Sequence, residues 1–180
     1  DLSVVNTVLW AGTSSNDSSN DDAFDFYQNK ARVYTNSGNG SIGSSTALFR
    51  DTSNWYHFVM TADSTNGMRV YVNGGTSPIN TVGGFTNINF TNDSSYAYIG
   101  AQAGSATFRG YMAEIYLIDG LSLSPASFGE TKNGVWVPKD PSELTYGTNG
   151  FRLTFETNTI SGNDFVDQST NSNNWTANGF

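Results

Sequence analysis

The sequence predicts an all-β fold, an antiparallel jelly-roll β-sandwich, and three observations carry that prediction. Short apolar runs recur along the 180 residues, the clearest of them alternating apolar and polar side chains, and no helical period of any length interrupts them. Gly, Ser, Thr and Asn fill the segments between, residues that favour turns and weaken helices. Hydrophobic residues make up 37% of the chain, enough for one substantial core, and many short strands at close spacing indicate a sandwich and not an α/β fold.

Taken in order, Val8-Leu9-Trp10 begins a strand, and the polar stretch 13–22 is a long loop. Ala23-Phe24-Asp25-Phe26-Tyr27 and Ala31-Arg32-Val33-Tyr34-Thr35 form a hairpin across Gln28-Asn29-Lys30. Residues 36–45 alternate Gly with small polar side chains and read as loop, whereas 46–49 recover strand character.

The best-defined unit joins Trp55-Tyr56-His57-Phe58-Val59-Met60-Thr61 to Met68-Arg69-Val70-Tyr71-Val72-Asn73 through a turn ending in Asn66-Gly67. Met68, Val70 and Val72 share its inner face, and its strand setting assigns Trp55 to the core. Asn73-Gly74-Gly75 closes a second tight turn, after which Pro78 directs the next strand to a sheet edge.

Tyr96-Ala97-Tyr98-Ile99-Gly100 and residues 111–118 are expected to be core strands. Ser124-Pro125-Ala126-Ser127-Phe128-Gly129 is one helical turn, capped by Ser124 and ended by Gly129. Phe151-Arg152-Leu153-Thr154-Phe155 is the last strand, which sets a sandwich over 1–155 and a loop-rich tail, or junction to further sequence, over 156–180.

The net charge of −8 repels phosphate backbones and anionic bilayers, and no cluster of Lys and Arg offers a local exception, so neither nucleic acid nor membrane is an expected partner. No apolar run reaches the length of about 20 residues that a spanning helix needs. The absence of cysteine removes disulfides and thiolate metal sites.

Two ordered motifs now add a family resemblance. Trp55-Tyr56-His57-Phe58-Val59, followed by Met68-Arg69-Val70-Tyr71-Val72-Asn73-Gly74, resembles the Trp-x-His strand and Val-Asn-Gly hairpin of laminin-G-like and concanavalin A-like domains. Tyr98-Ile99-Gly100, then Phe108-Arg109-Gly110-Tyr111-Met112-Ala113-Glu114-Ile115-Tyr116-Leu117, resembles a second segment of the same family. Further on, Phe128-Gly129-Glu130, Gly134-Val135-Trp136-Val137-Pro138-Lys139 and Tyr146-Gly147-Thr148-Asn149-Gly150-Phe151 are similar to lectin-like structural proteins of tailed bacteriophages, aquatic ones especially. Such domains open with strands that have no counterpart before Val8, which implies either a preceding segment or an edge supplied by a neighbouring chain.

Concanavalin-like folds include glucanases, whose two carboxylates must face one cleft about 5 Å apart. Glu114 and Asp119 fall on opposite faces of an extended segment, as do Asp164 and Asp167, which read as solvated turn acids. His57 is the single histidine and has no cysteine or second base with which to build a nucleophilic centre. The chain therefore reads as a non-enzyme.

Asp17, Asp21 and Asp22 lie in an oxygen-rich loop of the kind that can hold calcium, set against the alternative of a solvated acidic loop; no other cofactor is indicated. Trp136, Trp175 and Tyr146 are the candidate ligand-binding aromatics; the two tryptophans lie in less regular segments, where covering the ends of the sandwich is an equally ordinary role for them. The resemblance implies a virion structural protein, such as a capsid decoration, head-fibre or tail-fibre domain. It would lie on the particle surface as a homo-oligomer bound to other virion proteins or a host-surface glycan. The alternative is a carbohydrate-binding module of a secreted protein.

Overall fold

The computed structural model describes residues 6–12, 22–35, 41–83, 96–102, 107–156, 160–161 and 164–177. The chain divides into two compact units, one of Asp1–Arg109 with Ser124–Lys139 and one of Gly110–Leu123 with Asp140–Phe180. The boundary expected at 155 thus falls inside the second unit.

The first unit carries β1 (Asn6–Gly12), β2 (Asp22–Tyr27), β3 (Lys30–Thr35), β4 (Ser41–Ser44), β5 (Phe58–Asp63), β6 (Gly67–Val72), β7 (Asn80–Val82) and β8 (Tyr96–Ile99). After β9 (Ile115–Leu117), which belongs to the second unit, a 3₁₀ turn at Pro125–Ser127 and the hairpin of β10 (Gly129–Lys132) and β11 (Val135–Pro138) return to the first. All described pairings among these strands are antiparallel.

Two sheets, ordered β4-β3-β2-β1-β8 and β5-β6-β7, make the sandwich. Register sets Phe24 opposite Val33 and Phe26 opposite Ala31 on one face, and Met60 opposite Val70 on the other sheet's inner face. The faces interlock through Phe58, whose ring lies 5.7 Å from Phe24, 5.2 Å from Phe26 and 5.0 Å from Phe49. Tilted and edge-on pairs of this kind each add about 1 kcal/mol to area burial. Met68 and Val70 are 1% and 0% exposed, as the period of two requires.

On the opposite face of β2 and β3, Asp25 pairs bidentately with Arg32 at 2.8 and 2.6 Å, and the guanidinium stacks 4.9 Å from the Tyr27 ring. As Pro78 predicted, β7 lies at the end of its sheet.

Several elements depart from expectation. The strand placed at 46–49 lies instead at Ser41–Ser44, within the segment read as loop. Backbone pairing to β3 needs no large side chains, and Gly43 sits so close to Val82 and Asn80 of β7 that a side chain there would collide. Phe49 still enters the core from irregular backbone, its amide donating to the Asn29 carbonyl at 2.7 Å. β8 ends its sheet, and its described side chains are exposed or half-buried, so it is not a core strand.

The run at 111–118 shortens to β9 because Glu114 adopts φ 53, a left-handed conformation that stops a strand, and Tyr111 is 89% exposed. Ser124 precedes the 3₁₀ turn but makes no side-chain cap, and Gly129 opens β10 instead of ending a helix. Trp55 precedes β5 and is 67% exposed, outside the core to which its sequence setting assigned it.

In the second unit, β9 pairs antiparallel with β12 (Phe151–Leu153), and β13 (Ile160–Ser161), β14 (Asp164–Phe165) and β15 (Trp175–Thr176) form a small sheet. The described residues of the stretch expected to be a loop-rich tail carry these three two-residue strands between loops. The buried Asp167 carboxylate accepts bonds from the amides of Arg152, Ser169 and Asn173 and from the Ser169 hydroxyl at 2.7–2.9 Å. Burial raises its pKa, but these bonds outweigh burial and hold the carboxyl below its ordinary value. Asp167 is thus no solvated turn acid. Asn171 and Asn173 donate to the Gly150 carbonyl, each at 2.9 Å, completing the knot.

Candidate functional site

The site is built on residues 51–57, the approach to β5. Asp51 accepts the Ser53 amide at 2.9 Å, the Ser53 hydroxyl at 2.6 Å and the Asn54 side-chain amide at 2.5 Å. Those bonds stabilise the charged form and lower the Asp51 pKa, and they fix a turn just before Trp55.

On the far side, Tyr56 is anchored against Phe49 at 5.3 Å and Phe58 at 6.2 Å. His57 is tied through its backbone to Asn73, whose side-chain oxygen accepts the His57 amide at 2.8 Å while its own amide donates to the His57 carbonyl at 2.8 Å. Trp55 is held between these two anchors and projects into solvent. An exposed indole face, next in sequence to the polar turn of Asp51, Ser53 and Asn54, can stack on the C–H face of a sugar ring.

Trp136 has the opposite environment. Its indole nitrogen donates to Nδ1 of His57 at 3.0 Å, and the two rings stack at 5.9 Å with 29° between planes. An indole can only donate, so Nδ1 must be the bare nitrogen and the proton resides on Nε2. Burial lowers the His57 pKa, which favours this neutral form. A Cβ added at Gly74 would fall 2.2 Å from the indole ring and one at Gly129 2.5 Å, so glycine at both positions makes the seat for Trp136.

Of the aromatics expected to bind ligand, none is presented freely. Trp136 latches its hairpin to the sandwich, Trp175 is half-buried against Phe151 at 5.0 Å, and Tyr146 is buried. Trp55, assigned to the core by its strand setting, is the exposed tryptophan instead, since strand propensity does not reveal which residue of an aromatic run stops short of the ladder. The calcium candidates divide: Asp17 and Asp21 lie outside the described residues, and Asp22 is buried at the head of β2 instead of open in an oxygen-rich loop.

The carboxylates weighed for glycoside chemistry carry partners. Glu114 accepts the Tyr116 hydroxyl at 2.6 Å and pairs with Arg152 at 3.2 Å. The Arg152 guanidinium also lies 5.7 Å from the Tyr116 ring, and burial, followed by Glu114, pushes the Tyr116 pKa well up. Asp119 accepts the backbone and side-chain amides of Asn149 at 3.1 and 3.0 Å.

The two antiparallel sheets of the first unit are those of a lectin-like sandwich. Residues 5–127 match the family described as the concanavalin A-like lectin/glucanases superfamily, in its laminin-G form, and the chain belongs to that superfamily. Membership points to carbohydrate binding or adhesion. Comparison with curated proteins and with solved structures gives no match.

Proposed function

We propose that the chain is a non-catalytic attachment domain of a tailed-phage virion, a capsid decoration, head-fibre or tail-fibre module, which holds host-surface glycan at the Trp55 turn. One observation carries the binding part: a tryptophan 67% exposed on a turn preset by Asp51. Preorganisation matters because a turn whose backbone is already fixed loses little entropy when a sugar docks.

The virion part rests on the resemblance of residues 128–151 to lectin-like phage structural proteins. Supporting the non-catalytic reading, Glu114 is occupied by Arg152 and Tyr116, and Asp119 by Asn149. An enzyme's acid and nucleophile would need to face substrate.

Two experiments test the proposal. On a glycan array the wild-type chain binds at least one sugar class and Trp55→Ala loses it; no binding at millimolar sugar contradicts the glycan assignment. Mass spectrometry of intact source particles finds the chain in many copies. Absence from particles combined with glycan binding transfers the domain to the alternative, a carbohydrate-binding module of a secreted protein.

A further inference from the structure

Four Asn-Gly pairs fall among the described residues: Asn66-Gly67, Asn73-Gly74, Asn133-Gly134 and Asn149-Gly150. Each is chemically able to rearrange, because glycine leaves its amide nitrogen unhindered toward the preceding side-chain carbonyl. Reaction requires that the asparagine side chain be free to turn toward that nitrogen.

Three of the four are restrained. Asn66 donates to Asp63 at 3.1 Å and accepts from Arg69 at 2.8 Å, so both ends of its amide are held. Asn73 accepts the His57 amide at 2.8 Å, and Asn149 donates to Asp119 at 3.0 Å. Asn133 differs. It forms with Gly134 the two-residue turn between β10 and β11, with φ 52 and 79, both residues are exposed, and its side chain has no such restraint among the described residues.

We propose that Asn133 is a modification site, the first of these four asparagines to deamidate spontaneously. The Gly134 nitrogen bonds to Cγ of Asn133 as the Cγ–Nδ2 bond breaks, and ammonia leaves with the displaced amide proton. Water then opens the resulting succinimide at either carbonyl, giving aspartate or isoaspartate. The net change is one amide and one water converted to one carboxylate and ammonium, which takes the formal charge from −8 to −9. Isoaspartate also inserts a methylene into the main chain of a turn whose flanking Lys132 and Val135 are directly paired, next to the residue that latches the hairpin.

The test is peptide mapping of the folded full chain during incubation at neutral and mildly alkaline pH, scoring the mass gain of amide to acid at each site. Each restraining bond slows reaction by about fivefold, so Asn133 converts about fivefold faster than Asn73 or Asn149 and faster still than Asn66. Equal or faster conversion at any of those three overturns the proposal. Asp63→Ala, which frees the nitrogen end of the Asn66 amide while Arg69 still holds its oxygen, accelerates that site about fivefold and leaves Asn133 unchanged; no acceleration at Asn66 in the folded variant also counts against it.

Discussion

The Trp55 turn and the Trp136 hairpin contain the same side chain at two sites of the first unit, and His57 touches the structure of both. At Trp55 the backbone is fixed first, by Asp51 before it and Tyr56 after it, and the indole is left outside. At Trp136 the indole is itself the fastener, bonded to His57 and seated on Gly74 and Gly129. An aromatic residue is available for recognition when its neighbours, and not the ring, hold the loop.

That contrast can be broken most forcefully at Trp136. Trp136→Ala removes packing and strands the His57 acceptor, and costs about 2–4 kcal/mol in denaturant unfolding. A loss as small as that of an ordinary surface substitution, about 0.5 kcal/mol, would mean that the indole fastens nothing.

Next in size, Gly74→Ala and Gly129→Ala place a methyl inside van der Waals contact of the ring and cost about 1–3 kcal/mol each by the same assay. In a Trp136→Ala background most of the Gly129→Ala penalty disappears, because the clashing partner has gone, whereas Gly74→Ala keeps the strain of its left-handed backbone at φ 73.

A smaller effect comes with pH. The folded pKa of His57 is depressed, so the unfolded chain takes its proton first, near 6.5. The stability that comes from keeping His57 neutral, through its burial and as the acceptor of the Trp136 bond, is complete above that value and is lost as pH falls from 6.5 through the lowered folded pKa. The bond is half-exposed, and its loss is expected to amount to about 1 kcal/mol or less. Unfolding curves across this window should show the decline, and Trp136→Phe, which lacks the donor, should reduce it.

Smallest for stability is Trp55→Ala, expected within about 0.5 kcal/mol of wild type, although it removes the proposed stacking contact with sugar. A large stability loss there would return Trp55 to the core.

Legibility in the sequence follows from the kind of signal each element carries. The β5–β6 hairpin is readable because Met68 and Val70 alternate with polar residues beside an Asn-Gly turn. The β10–β11 hairpin carries the same kind of signal in Asn133-Gly134, but its strands have one apolar stretch between them and none of the alternation, so it was not drawn out. Exchanging the roles of Trp55 and Trp136 was beyond pattern reading, since the His57–Trp136 bond joins residues 79 apart. The second unit's tail was equally opaque. Its order comes from one buried carboxylate, Asp167, gathering backbone amides, and polar, aperiodic sequence around such a hub looks like loop.

The most direct measurement of the central claim is an NMR titration of the indole N–H resonances with a sugar that the array identifies. The account predicts that the Trp55 resonance exchanges readily with solvent and shifts as sugar is added, while that of Trp136 is protected and does not move. A shift confined to Trp136, with Trp55 unaffected, would contradict it.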